Sequence, residues 1–474
     1  MKLRNPTRLR ERRHLAGGLA GMLMRDTPAG SRRSQGSVLI IVLWVAIGLV
    51  SIALYFANTM TYELRASDNR VNGLASDQAI EGAARYVSYV LQNFATNGAV
   101  PATNQFGCEA VPIGDAHFWL IGRDPSGQNS TEPYFGLVDE GSKLNLNTVN
   151  TNVLSYLPNM TMDFANAIMD WRGTNGIVSL DYATLGYLPK NAPFETVDEL
   201  RLVYGATVDL LAGDDLNRNG VLDANEKSSS GTGEMNYGLF EYTTVYTREP
   251  NFHSDGSSLT NVNTASVARL QTFFQNEGVS SATTIAASVF RSIHPAAGGL
   301  NNCNGILDLA VRCRNLGMSE ADFAKIYDDV TTSTNTYFRG RVNVNTADAD
   351  VLTALFMGLN VDEQTASGAA QSLVTYREQN PGNLNAIGWM IDALGNNHPV
   401  ITALQRGNYV TTRSFQFTAD IAAVGPFGRG YRRVKFIFDT SDGAPKIIYR
   451  QDLSRLGWAL GEKVRETRVA QATP

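Results

Sequence analysis

The chain has 474 residues, enough for two or three domains, with 43 % apolar and 18 % charged residues, which excludes a disordered or low-complexity protein. The net charge of −5 is uneven: residues 1–36 hold nine Lys/Arg against Glu11 and Asp26, a balance of +7, so the remainder carries −12. An acidic body argues against its being a nucleic-acid binder, because phosphate attraction must dominate such affinity.

In chain order, the first element is Val38–Ala57, VLIIVLWVAIGLVSIALYFA, without a single charge. As a helix it is about 30 Å long, the thickness of a hydrocarbon core. Basic residues before it keep the N-terminus in the cytoplasm and send everything after residue 58 outward. A cleaved signal peptide would show a shorter apolar run and an A-x-A site, which is missing. Leu64, Val71, Ala75, Ala79, Ala83, Val87, Val90 and Phe94 continue at helical spacing, with no Pro before Asn97-Gly98 and Pro101. The spacing predicts one helix of about 85 Å, apolar all round at first and amphipathic later.

Before the span stands Arg32-Arg33-Ser34-Gln35-Gly36, followed by Ser37-Val38-Leu39-Ile40-Ile41. This stretch resembles the leader and cleavage site of prepilins and pseudopilins. The resemblance implies that a prepilin peptidase cuts between Gly36 and Ser37 and methylates the new N-terminus. Most pilins carry Glu at mature position five; here it is Ile41. Lack of that Glu is a feature of the minor pseudopilin K of type II secretion, a family whose members are placed at the filament tip. A carboxylate in lipid without a cationic partner is costly, and a subunit with no neighbour above it can dispense with one.

Three segments repeat one pattern: Leu144-Asn145-Leu146-Asn147-Thr148, Thr260-Asn261-Val262-Asn263-Thr264 and Val342-Asn343-Val344-Asn345-Thr346. Nine residues after each first Asn stand Leu154, Leu270 and Leu352, and helical stretches then end at Arg172, Arg291 and Arg377. Thr148, Thr264 and Thr346 read as helix N-caps. The units resemble helix-hairpin-helix repeats, which occur in DNA-binding proteins and in pseudopilin K. The Gly-x-Gly that lets a hairpin cradle phosphate is missing at Leu157–Thr161 and at Met357–Asn360, so helical packing is the expected role.

Between the first two repeats, Asp215-Leu216-Asn217-Arg218-Asn219-Gly220-Val221-Leu222-Asp223-Ala224-Asn225-Glu226 fits the calcium-loop pattern D-x-[DN]-x-[DN]-G-x5-E. Calcium takes six to eight oxygens. Asp215, Asn217, Asn219, the Val221 carbonyl, Asp223 (directly or through water) and Glu226 are the expected ligands of a structural calcium ion. The alternative is a solvated turn rich in Asx residues.

Strands are predicted at His117–Ile121, Tyr134–Val138, Phe415–Ile421, Arg432–Phe438 and Ile447–Arg450. The expected fold is α+β: a long N-terminal helix on a pilin-type antiparallel sheet, interrupted by a large helical insertion. The expected divisions are a leader (1–36), a transmembrane helix (37–58), its periplasmic half (59–98), sheet segments (105–140 and 406–460) and the insertion (141–405). Cys303 and Cys313 are close enough to form a disulfide in an oxidising periplasm, leaving Cys108 over. The five histidines show no metal spacing, and no nucleophile or phosphate-loop motif occurs.

These features describe a non-enzymatic pseudopilin-like subunit, single-pass in the bacterial inner membrane with its body in the periplasm. The resemblance implies other minor pseudopilins, the major pseudopilin and the prepilin peptidase as partners, and no nucleic acid. A minor pilin of a type IV pilus, acting as adhesin or priming subunit, and a membrane-tethered DNA receptor are the alternatives. Mass spectrometry of the membrane-purified protein should find methylated Ser37 at the N-terminus; an intact leader in cells with active peptidase would overturn the processing assignment.

Overall fold

The computed structural model describes residues 35–124, 132–173, 182–231, 235–295 and 298–465. The leader through Ser34 lies outside them, whereas Gly36 and Ser37 fall in the first turn of the first helix. Chain contacts divide the protein into two compact units at Ala66/Ser67. Helix α1 (Gln35–Phe94) supplies nearly all the described part of the first. There its large apolar side chains, Val38 through Leu64, are exposed. It is the one described helix long and apolar enough to cross a membrane.

The second unit is built on an antiparallel sheet of β1 (Val111–Ile113), β2 (Ala116–Ile121), β3 (Val138–Asp139), β4 (Gln416–Val424), β5 (Arg432–Asp439) and β6 (Lys446–Asp452). The order is β1-β2-β4-β5-β6, with β3 also pairing with β4. Strands from both ends of the chain therefore meet at β4, whose nine residues are all buried. One face of the sheet, Phe118, Leu120, Phe417, Ala419, Ile421, Ala423, Val434, Phe436 and Phe438, packs on Ala79, Ile80, Ala83, Ala84, Val87 and Leu91 of α1. Burial of that area drives the docking, and the alanines let the helix lie close. The turn between β4 and β5 comes closer still: a Cβ at Gly430 (φ +72°) would stand 2.4 Å from the Asn72 carbonyl oxygen. The apolar stripe was expected to begin at Leu64, but Leu64 and Val71 are exposed and burial sets in only after them. The sheet begins to cover the helix further along, so periodicity overran the packing.

Between β3 and β4 lies the helical insertion, with its own apolar core running from Leu144 to Val410. The three repeats are equivalent in space as well as in sequence. Leu144–Asn145 pairs in parallel with Thr243–Thr244, Thr260–Asn261 with Val330–Thr331, and Val342–Asn343 with Val410–Thr411. The first Asn of each accepts the N–H two residues on, at 2.9, 3.0 and 3.0 Å. The second bridges a distant segment: Asn147 exchanges two hydrogen bonds with Phe194, Asn263 does so with Cys303, and Asn345 takes the Trp389 indole N–H. Leu154, Leu270 and Leu352 are each 0 % exposed. Left-handed residues turn the hairpins: Asn159 in the first, Gly278 and Ser281 in the second, and Asn360 in the third.

The expected helix N-caps need correction. The helix N-caps are Asn150, Ser266 and Asp348, two residues beyond the threonines, because the short strand and its Asx turn use up Thr148, Thr264 and Thr346. Arg172 and Arg377 reach back to carbonyls of their own repeat motifs, whereas Arg291 is exposed and bonds only its own helix. Cys303 and Cys313 stand as free, buried thiols near one another, and Cys108 as a free, half-buried one. Burial pushes the Cys303 thiol up to about 12 and raises Cys313 further, so the thiolate needed for exchange is scarce.

The second and third repeats are tied by Arg314, which lies 3.3 Å from Glu320 and 2.8 Å from Asp392. Burial raises the Glu320 carboxyl from 4.5 to about 7, aided by Asp392 and opposed by Arg314. A folded-state value above the unfolded one means that protonation favours the fold. The contribution is complete below the unfolded value and is lost as pH rises through about 7. The loss should approach about 3 kcal/mol between pH 4.5 and 8. Denaturant midpoints across that range should show it in the wild type and not in Glu320→Gln; identical profiles would refute the assignment.

Candidate calcium loop

Helix Val208–Ala212, capped by Thr207, delivers the chain to Gly213, whose φ of +67° allows a close crossing at Asn236. Asp214 follows, outside the ligand pattern. Its Oδ2 accepts from Ser229 N (3.0 Å) and Asn236 N (2.9 Å), which closes the loop at its base. The twelve residues Asp215–Glu226 then fold inward on their own side chains.

Asp215 accepts from Asn219 N (3.0 Å) and Gly220 N (2.7 Å). Asn217 Oδ1 accepts from Asn219 N, and Asn219 Oδ1 from Val221 N, both at 3.0 Å. Glu226 reaches back across the loop: Oε1 accepts from Leu216 N (2.9 Å) and Asn217 N (3.2 Å), and Oε2 from Asp223 N (3.1 Å). Asp223 receives the amide groups of Asn217 and Asn219. Gly220 at φ +86° makes the sharp turn, and Arg218 is also left-handed at φ +60°. All six expected ligand residues thus belong to one hydrogen-bonded loop. Asp215, Asn217, Asn219, Val221 and Glu226 are buried; Asp223 is half-buried.

Burial raises the Asp215 carboxyl, with Arg123 opposing. Burial also raises Glu226, and its neighbours Asp215 and Asp223 add to the effect. Among the described residues no three His, Cys, Asp or Glu side chains converge closely enough to hold a metal ion. A cation here depends on Asn217, Asn219 and the Val221 carbonyl as well as on the carboxylates. Such a mixed oxygen set is the chemistry that calcium prefers, and the crowded carboxylates gain most from it.

The surroundings of the loop were not legible in its pattern. On the sheet side Arg433, fully buried, is paired with Asp420 at 2.6 and 2.9 Å. Its remaining donors go to the Asn217 and Arg218 carbonyls, the latter at 2.8 Å. Arg123, paired with Glu241 at 2.8 Å, also donates to the Arg218 carbonyl, at 3.2 Å. Near the C-terminus the carbonyls of Trp458 and Ala459 accept from Asn217 and Asn219 at 3.2 and 3.4 Å. The one available signal was charge inside strand patterns, at Asp420 and Arg433. Glu226→Gln should keep the fold but remove most of any calcium stabilisation, which for a hundredfold excess over Kd is about 2.7 kcal/mol. Thermal unfolding with calcium and with chelator checks this; equal Tm values in the wild type would leave an Asx-rich turn alone.

Comparison with known proteins adds little. No protein-family model matches the chain, and no curated protein matches it. Among solved structures, the chain is similar to a chain in the crystal structure of the GspK-GspI-GspJ complex from the enterotoxigenic Escherichia coli type 2 secretion system. The two are 13 % identical, the match covers 43 % of this chain and 78 % of that one, and the TM-score is 0.18. A likeness at this level leaves fold and function to be argued from the residues.

Proposed function

We propose that this chain is a membrane-anchored, non-enzymatic subunit of a pilin-like secretion filament, acting as the minor pseudopilin K at its tip. The observation that carries the reading is α1: a proline-free helix whose exposed apolar stretch suits lipid and whose later turns pack on an antiparallel sheet. The basic leader, the Gly36–Ser37 junction and Ile41 support the finer assignment. In this reading the N-terminus stays in the cytoplasm, the body occupies the periplasm, and the partners are the other pseudopilins and the prepilin peptidase. The Asp215–Glu226 loop holds calcium as a staple.

The hairpins of the insertion serve as packing units. The second helices of the first and third hairpins begin with acids, Asp163 in the one and Asp362 with Glu363 in the other, whereas that of the second hairpin has none in its first turn. Those carboxylates take the positive helix ends that a phosphate would need. Charged groups of the insertion are likewise engaged in pairs, Arg312 with Asp308 within one helix and Arg341 with Glu249 between segments.

The test is assembly. The full-length protein extracted from membranes should co-purify with the other minor pseudopilins, and its loss should abolish secretion. Restoring the carboxylate with Ile41→Glu should leave secretion unchanged or lower it. A several-fold gain in secretion or filament length from that substitution would overturn the tip assignment.

A further inference from the structure

The loop is held at two points by parts of the chain remote from it in sequence. Arg433 on β5 sends one arm of its guanidinium to the Asn217 carbonyl and another to that of Arg218, while Asp420 on β4 holds the group in place. These two carbonyls lie in the backbone that carries Asn217 and Asn219, so the sheet sets where those side chains stand. The Asn217 and Asn219 carboxamides in turn donate to the Trp458 and Ala459 carbonyls. That segment covers the sheet's second apolar cluster, in which Ala459 and Leu460 pack on Trp119, Ile121, Ala422 and Val424. It is further bound to β5 through Leu453 N to the Arg433 carbonyl (2.9 Å) and Arg433 N to Ser454 Oγ (3.0 Å).

From this arrangement we propose that the Asp215–Glu226 loop is a calcium-dependent clamp that locks the helical insertion and the C-terminal segment onto the sheet, with Arg433 as its positioning residue. The inference rests on the calcium reading of the loop given above. Without a cation, Asp215, Asp223 and Glu226 repel one another, the backbone at Asn217–Asn219 loosens, and both grips slacken together. Arg433 cannot simply retract, because its charge is desolvated and its remaining acceptors are fixed. Coupling is reciprocal: whatever factor calcium adds to the docking, docking adds to calcium affinity. A fork with several fixed donors is needed to hold Asp420 and two carbonyls at once, which a lysine cannot supply.

The experiment is amide hydrogen exchange and calcium calorimetry on the full-length protein in detergent. Calcium should slow exchange in 215–226 and also in 432–439 and 453–465, with chelator reversing all three. In the variant Arg433→Met/Asp420→Leu, which removes the pair without stranding a charge, calcium should bind about 10-fold more weakly. Its protection should then be confined to 215–226. Should that variant fail to fold, Arg433→Lys keeps the charge, and there too protection should be confined to 215–226. Calcium heat in the wild type with protection limited to 215–226, or unchanged affinity in the variant, would overturn the clamp and leave the calcium loop standing. No calcium heat at all would overturn the loop reading and the clamp together.

Discussion

The insertion is fastened to the sheet by desolvated charge rather than by apolar area, and the arrangement of the second unit follows from that constraint. The face of β4 turned away from α1 carries Gln416, Thr418 and Asp420, and all three are buried. Each therefore requires a partner, because an unpaired buried polar group costs more than a hydrogen bond returns. Gln416 bonds Arg248 of the insertion, Thr418 bonds Glu140 at 2.6 Å, and Asp420 takes Arg433. Asp139 is the extreme case. Among the described residues its carboxylate has no paired cation, yet it accepts from Gly141 N (2.6 Å), Asn343 Nδ2 (2.8 Å), Thr346 Oγ1 (2.5 Å) and Ser414 Oγ. Burial still raises its pKa against all four bonds. Pairs of this kind contribute little net stability, but they penalise any other register heavily. They make the docking specific.

The three repeats solve a different problem with the same chemistry. Each must hold a helical hairpin against a segment up to about a hundred residues away, and closing long loops costs entropy that grows only slowly with length. A two-residue parallel strand pair is too short to do this alone. The Asn pair supplies the rest: the first side chain shapes the turn, and the second ties the turn to a remote backbone, as Asn263 does at Cys303. Because amides carry no charge, these ties can sit close to the apolar core without a counter-ion. The leucine nine residues on then drops into that core in every copy.

Much of this was legible in the sequence. The long helix, four of the strands and the threefold recurrence followed from periodicity and spacing, since each is a local property of the chain. What failed was whatever depended on partners far away. The Thr residues read as caps because the two-residue strands before them leave no periodic trace. Leu64 and Val71 read as part of a buried stripe because periodicity cannot say where the covering sheet begins. The calcium pattern located the loop, but nothing in it pointed to Arg433 or Arg123, which approach from sequence positions far on either side.

The contrast between the two faces of the sheet bears on what the body can transmit. Against α1 the contact is apolar and built from alanines, with ion pairs only at its exposed rim: Arg432 with Asp77 at 3.0 Å and Arg450 with Glu81 at 2.7 Å. Rim pairs of this kind are worth little, so close packing of small residues fixes the helix. Against the insertion the contact is polar, directional and dependent on full satisfaction. An apolar contact of small residues yields gradually under load, whereas a satisfied polar network holds until one member is lost and then gives way as a unit. A cation bound at the loop between these elements would therefore act on the polar face alone. It would change how the insertion is held while leaving the seat of α1 on the sheet as it was.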